Sequence, residues 1–296
     1  MHIPIEEMHR PVLPGEVISM LKIDSKGVYC DGTVGLGGHA EKILENLSSE
    51  GHFIGIDRDE QAISLCKKRL SSFQNKNISL FNSSFINASS LLKKIGLSQM
   101  DGFLLDLGLS SMQLDSHNRG FSFNSNSSLD MRFDVSQSLT ASNVINEFSF
   151  SDLANIIYKY GEERKSRRIA KNILRSRPIE STDALALAIK QVTHYKQRNK
   201  TLARVFQAIR IQVNNELGHL EQILDEFINL LKVGGRVVII SFHSLEDRIV
   251  KQRFRALSSS GQLKILSKKP ISASNSEIKY NTRSRSAKLR AGEKVS

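Results

Sequence analysis

Residues 29–40 read Tyr29-Cys30-Asp31-Gly32-Thr33-Val34-Gly35-Leu36-Gly37-Gly38-His39-Ala40. A short apolar run ends in an acid, and four glycines fall within the next seven residues. Glycine suits backbone that takes positive φ or lies close against a ligand. The stretch therefore reads as a strand, a ligand-contacting loop and the start of a helix. Its Gly35-x-Gly37-x-x-Ala40 spacing fits the G-x-G-x-x-G/A turn of dinucleotide enzymes. By itself the loop does not decide between a nicotinamide cofactor and another ligand.

The flanking pattern supplies the fold. Gly27–Gly32 reads as a strand, and Ala40, Ile43, Leu44 and Leu47 mark the helix that follows. Residues 51–57 form a second strand, and Ala62, Ile63, Cys66 and Leu70 share one helix face. Ile78–Phe81 is a short third strand. Phe103-Leu104-Leu105-Asp106-Leu107 is a fourth, apolar enough to be buried on both faces of a parallel sheet. Crossover handedness then favours an open, doubly wound α/β sheet.

This rhythm stops after Asp106. Ser110–Ser138 is rich in Ser, Asn, Asp and Gly and reads as a long loop, and from Leu139 to Lys196 every apolar pattern is helical. Ser142, Ser151 and Thr182 are the expected N-caps, and Gly161 the expected end of a helix through Leu153, Ile156, Ile157 and Tyr160. A long helical stretch then carries Leu202, Val205, Phe206, Ile209, Val213, Leu217, Leu220, Leu224 and Phe227 on one face. Gly235–Phe242 is the fifth strand. The expectation is one mostly parallel, Rossmann-like sheet domain, formed by residues 1–115 and 201–296, interrupted by an all-helical insertion at 116–200.

Composition narrows the partners. The chain has 296 residues, 42 Lys and Arg against 30 Asp and Glu, and a formal net charge of +12. Such an excess points to a polyanion, although an ordinary enzyme with a solvated basic surface is the competing reading. From Leu245 onward thirteen basic residues face four acidic ones, and Thr282–Arg290 alternates basic and small residues as a phosphate-tracking arm would. The first twenty residues lack the apolar segment of a secretory signal, and no aliphatic run approaches a membrane span. Cys30 and Cys66 have no neighbours at metal-ligand spacing and read as small buried residues in a reducing cytoplasm. No cluster of His, Asp and Glu has convincing metal spacing. No phosphate-binding G-x-x-x-x-G-K-[ST] loop is present, so nucleotide hydrolysis has no support.

In a doubly wound sheet the ligand lies beyond the carboxyl ends of the strands. Four features converge there: the glycine loop, Asp57 after the second strand, Asp106–Ser111 after the fourth, and Ser241–Asp247 after the fifth. Asp57 stands twenty residues past Gly37, where a carboxylate can accept both ribose hydroxyls. Ser244 and Asp247 resemble a capping-box variant. His39 is either a ligand contact or a helix-start residue, and His243 either borders the ligand or is structural.

The combined motifs carry a specific resemblance. They are His9-Arg10-Pro11-Val12-Leu13, Asp31–His39, Gly55-Ile56-Asp57-Arg58-Asp59, Asp106-Leu107-Gly108-Leu109-Ser110-Ser111-Met112-Gln113-Leu114-Asp115, Arg119-Gly120-Phe121-Ser122-Phe123, Leu129–Asp134, Phe206–Leu217 and Ser241–Asp247. In this order they closely resemble the bacterial 16S ribosomal RNA cytosine-N4 methyltransferase family, from about His9 to Arg290. One departure is the run Lys196–Arg204, where the family usually carries a His-Pro-containing stretch.

The resemblance implies S-adenosylmethionine as methyl donor, with no metal. It implies donor contacts at Gly37, Gly38 and His39, at Asp57 on the ribose, at Phe85 near the adenine, and at Asp106 and Gln113 near the methionine end. The acceptor it implies is the exocyclic N4 of a cytidine in the decoding region of 16S ribosomal RNA, within the small ribosomal subunit. Asp106 is expected to accept hydrogen bonds from that amine, with His243 and Ser241 bordering the base. The helical insertion and the basic C-terminal arm are expected to hold flanking phosphates, and a homodimer is compatible with the reading. Two other functions fit single features: a nicotinamide-dependent oxidoreductase fits the glycine spacing, and a non-catalytic RNA-binding ribosome-assembly module fits the charge.

Overall fold

Strand β1 (Val28–Asp31) is only four residues long, yet its last three are buried, and it pairs in parallel with a neighbour on each side. Those neighbours are β2 (His52–Asp57) and β4 (Met100–Asp106). Further out lie β3 (Asn77–Asn82), parallel to β2, and β5 (Leu231–Ser241), parallel to β4. In the computed structural model, residues 10–110, 113 and 119–296 are described. The motif residue His9, together with Ser111, Met112, Leu114 and Asp115, lies outside them.

The chain divides into two compact units, one of residues 1–110 with 218–296 and the other of 111–217. The second unit is wider at both ends than the 116–200 expected from the sequence.

The first unit carries a sheet of order β3-β2-β1-β4-β5-β7-β6, where β6 is Leu263–Ile265 and β7 is Lys288–Lys294. Successive side chains on a strand point to opposite faces, and both faces are apolar. On one, Cys30, Ile54, Phe103, Leu105, Val237 and Ile239 pack with α4 (Ala88–Lys94), α10 (Glu216–Leu230) and α11 (Ser244–Ser259). On the other, Tyr29, Phe53, Leu104, Val238 and Ile240 pack with α1 (Pro14–Leu21), α2 (Gly38–Asn46) and α3 (Glu60–Arg69). This is the expected doubly wound, mostly parallel sheet.

The C-terminal segment differs from the expected arm. Residues 282–286 form a 3-10 turn, and β7 enters the sheet antiparallel to both β5 and β6. Leu289 and Ala291 are buried while Lys288 and Glu293 stay partly exposed. Arg290 and Gly292 are buried with them, so four consecutive residues of the strand lie inside. Even Arg290 is 7% exposed, its Nε 2.7 Å from Asp247 Oδ1.

The second unit contains α5 (Ala141–Asn146), α6 (Phe150–Gly161), α7 (Ser166–Arg175), α8 (Thr182–Gln191) and α9 (Arg198–Asn214). Their caps are Thr140, Ser149 and Ser181, one or two residues ahead of the expected Ser142, Ser151 and Thr182. Thr182 instead donates its hydroxyl to the Ser125 carbonyl. Helix α6 does end at Gly161, with Glu162 in the left-handed conformation at φ 48°. The long helical stretch expected across 202–227 is two helices. Asn215, at φ 49°, ends α9 before α10 begins.

Candidate active site

The carboxyl ends of β1, β2 and β4 each finish in an aspartate, and the glycine loop is laced to all three. The Gly32 N–H donates to the Leu104 carbonyl, and the Val34 N–H to that of Ile56. The Gly35 N–H donates to Asp57 Oδ2 at 2.8 Å, and the Thr33 N–H to Asp31 Oδ1 at 3.0 Å. The Thr33 hydroxyl accepts the Asp106 N–H at 2.6 Å. Gly37 caps α2 at φ 82°, a conformation that side chains with a Cβ rarely adopt. A Cβ at Gly37 would also stand 3.0 Å from Cys66 Sγ. Gly35 has φ 50°, and a Cβ there would meet nothing nearer than 3.8 Å, so the loop leaves open space at its tip.

Burial sets the charge of this loop. Asp31 is 1% exposed, and desolvation raises its carboxyl to about 7, opposed by the nearby His39 and the Thr33 N–H and reinforced by Asp106 and Asp57. Asp57 is raised to about 6, again by desolvation first, although the N–H groups of Asp59 and Gly35 favour its anion. His39, on the first turn of α2, is 4% exposed, and its Nε2 lies 3.5 Å from Asp106 Oδ2. Neither ring nitrogen of His39, nor Asp106 Oδ1, has a hydrogen-bond partner among the described residues. A buried polar group without a partner costs stability unless something else satisfies it. Polar capacity is therefore held in reserve where the three strand ends meet.

Phe85 opens a 3-10 turn at 85–87 and packs partly buried beside Gly32, whose added Cβ would fall 3.0 Å from Phe85 Cβ. Gln113 is buried, but it belongs to the second unit.

The end of β5 corrects one expectation, the cap of the helix that follows. Ser241 is 2% exposed, and its hydroxyl donates to the Lys288 carbonyl at 3.3 Å, which ties β5 to β7. The cap of α11 is His243, not Ser244. The His243 Nδ1 accepts the Glu246 N–H at 3.4 Å, and Glu246 Oε2 accepts the Phe242 N–H at 2.9 Å. Asp247, the residue paired with Ser244 in the sequence reading, binds Arg290 and Lys288 instead. His243 Nε2 remains buried, 3.2 Å from Glu246 Oε1 but outside hydrogen-bond geometry.

A strand-loop-helix cradle with a carboxylate at each neighbouring strand end is the setting of a nucleoside-bearing ligand. The sequence profile described as the MraW methylase family matches residues 6–295. The chain belongs to that family.

Among the methylase's relatives, proteins called "Ribosomal RNA small subunit methyltransferase H" align over almost their whole length. The one from Caldicellulosiruptor bescii is 45% identical, covering 97% of this chain and 99% of its own. That from Kosmotoga olearia is 44% identical, covering 98% of each. That from Thermotoga neapolitana is 46% identical, covering 97% and 96%.

The methyl donor of the family is S-adenosylmethionine, and the cradle suits its chemistry. Three carboxylates around the loop favour a sulfonium cation and would repel a pyrophosphate. Open space at Gly35 and the unsatisfied atoms of His39 and Asp106 provide room and hydrogen-bonding capacity. The sequence points to Asp57 and Asp106 as site residues, with Asp31 named only as part of the glycine-loop motif. Thr33, which holds Asp31 and Asp106 together, is not among them. The adjacent Asp-Gly-Thr is the signal that could have found it, since an Asp side chain commonly binds the N–H two residues on.

Proposed function

We propose that this methylase transfers a methyl group to the exocyclic N4 of a cytidine in the decoding region of 16S ribosomal RNA, in the cytoplasm. The observation that carries the reading is the reserve of unsatisfied polar atoms on His39 and Asp106, at the mouth of a loop that suits a sulfonium ligand. The eight motifs described above and the relatives' printed name support the acceptor.

Gly37, Gly38 and His39 would hold the donor at the loop, Asp57 its ribose, Phe85 its adenine, and Asp106 with Gln113 its methionine end. When bound, S-adenosylmethionine supplies an electrophilic methyl on a sulfonium. The chain's own contribution concerns the nucleophile. The lone pair of a cytosine N4 is delocalised into the ring, so the amine must be held in line, with its N–H groups accepted as positive charge develops. Asp106 Oδ1 supplies such an acceptor, oriented by the Thr33 hydroxyl on its backbone N–H. His243 would border the base. Ser241 would border it as well, its hydroxyl donating to the Lys288 carbonyl on β7. The target base must leave its stack to reach a buried methyl group.

The test is transfer of a labelled methyl group from S-adenosylmethionine to small ribosomal subunits lacking the modification, followed by nucleoside analysis. Label in N4-methylcytidine is expected. Label in another nucleoside, or none in RNA, refutes the acceptor.

A further inference from the structure

The segment that departs from the family pattern carries a second feature. Tyr195 opens a 3-10 turn between α8 and α9 and is 77% exposed, among the most exposed large hydrophobic side chains described. The Arg198 guanidinium stands 5.7 Å from its ring centroid. Residues 190–200 hold Lys190, Lys196, Arg198 and Lys200 and no acidic residue. None of these four cations makes an ion pair with a described residue. The first turn of α9 likewise contains no acid. Cations gathered at the positive end of a helix repel its dipole unless an anion joins them.

An exposed aromatic ring backed by a guanidinium and flanked in sequence by three lysines matches the chemistry of a single nucleic-acid strand. The ring offers a stacking face, and the cations meet the flanking phosphates. We propose that Tyr195 and Arg198 form a stacking platform for an unpaired base of the RNA substrate, with Lys196 and Lys200 on the adjoining phosphates. The platform rests on the RNA reading above and adds to it a contact surface remote in sequence from the methyl-donor loop.

Binding of the full chain to a fluorescein-labelled, unstructured RNA 20-mer, and separately to small ribosomal subunits, tests this. Tyr195→Ala should weaken RNA binding by about tenfold, as expected for one lost base stack, with S-adenosylmethionine affinity unchanged. Tyr195→Phe should bind as wild type. The chain has five tyrosines and no tryptophan, so stacking is also visible as quenched tyrosine emission, and this quenching should vanish in Tyr195→Phe. Equal RNA affinity of wild type and Tyr195→Ala overturns the platform. So does a Tyr195 effect on subunits that is absent on naked RNA, since that assigns the ring to a protein partner. Tyr195-dependent RNA binding without methyl transfer to any RNA would leave the platform standing and refute the methylation reading instead.

Discussion

At the scale of single residues, Asp31 is the most consequential group outside the sequence-derived site set. Its carboxyl, raised to about 7, is largely neutral below that pH in the ligand-free protein, and Asp57 follows at about 6. A sulfonium favours the anions, so donor affinity should fall as pH drops. Calorimetric titration should show S-adenosylmethionine binding roughly tenfold weaker at pH 5.5 than at pH 8, given about 1.4 kcal/mol per pKa unit. S-adenosylhomocysteine, which lacks the sulfonium charge, should change much less. Equal pH dependence for both would remove the carboxylates from that role. The stability of the ligand-free protein runs the opposite way. The folded-state values lie above the ordinary carboxylate value, so the stabilisation gained from the neutral acids is complete below about pH 4 and is lost as pH rises through 6 to 7. Asp31→Asn should therefore raise the ligand-free Tm more at pH 8 than at pH 5 in calorimetric scans. Asp106→Asn should leave donor affinity within a few-fold and lower kcat by about a hundredfold, the scale of one lost acceptor at a reacting centre; single-turnover kinetics with normal turnover would exclude Asp106 from the chemistry.

At the scale of elements, Arg290 on β7 and Asp247 on α11 form the test case. Both side chains are largely buried, and the Asp247 carboxyl is held below its usual range by its hydrogen bond to Arg290 and the charges of Arg290 and Lys288, against the cost of burial. Arg290→Ala leaves that carboxylate short of its main partner and should cost about 2 kcal/mol in urea unfolding at pH 7. The cost should shrink in acid, where Asp247 is protonated. The strands β1 to β5 were legible because parallel strands buried on both faces read as apolar runs such as Phe103–Leu107. Strand β7 was not, because Lys288, Arg290, Glu293 and Lys294 dominate a short segment that reads as charged, although Leu289 to Gly292 are all buried. The caps were misplaced by one or two positions for a local reason: Ser, Thr and Asn crowd each helix start, and backbone geometry chooses among them. The break between α9 and α10 was hidden because Asn215 adopts a left-handed conformation without glycine's signature. At the site, Asp57 and Asp106 were legible from their strand ends. The involvement of Thr33 was not, since it depends on a hydrogen bond from the distant Asp106 N–H, and the capping by His243 was not, since Ser244 beside it is the commoner cap residue.

At the scale of the whole molecule, the +12 charge should appear as steep salt dependence. Raising salt from 50 to 200 mM should weaken RNA binding by orders of magnitude if six or more phosphates are neutralised, measured by fluorescence anisotropy; salt-insensitive affinity would refute phosphate tracking. The sheet order also has a bearing on how the protein is made. Among the described residues β6 pairs only with β7, and β7 follows the other strands in sequence yet sits between β5 and β6. The ribosome therefore completes six strands before the one that joins them exists. Until residues 288–294 emerge, the end of β5 that carries the Ser241 link stays an open edge, prone to pairing with other chains. A nascent chain stalled before Lys288 should be protease-sensitive and aggregation-prone, and release should protect it. The sheet that carries the donor cradle therefore gains its protected β5 edge only when residues 288–294 have joined it.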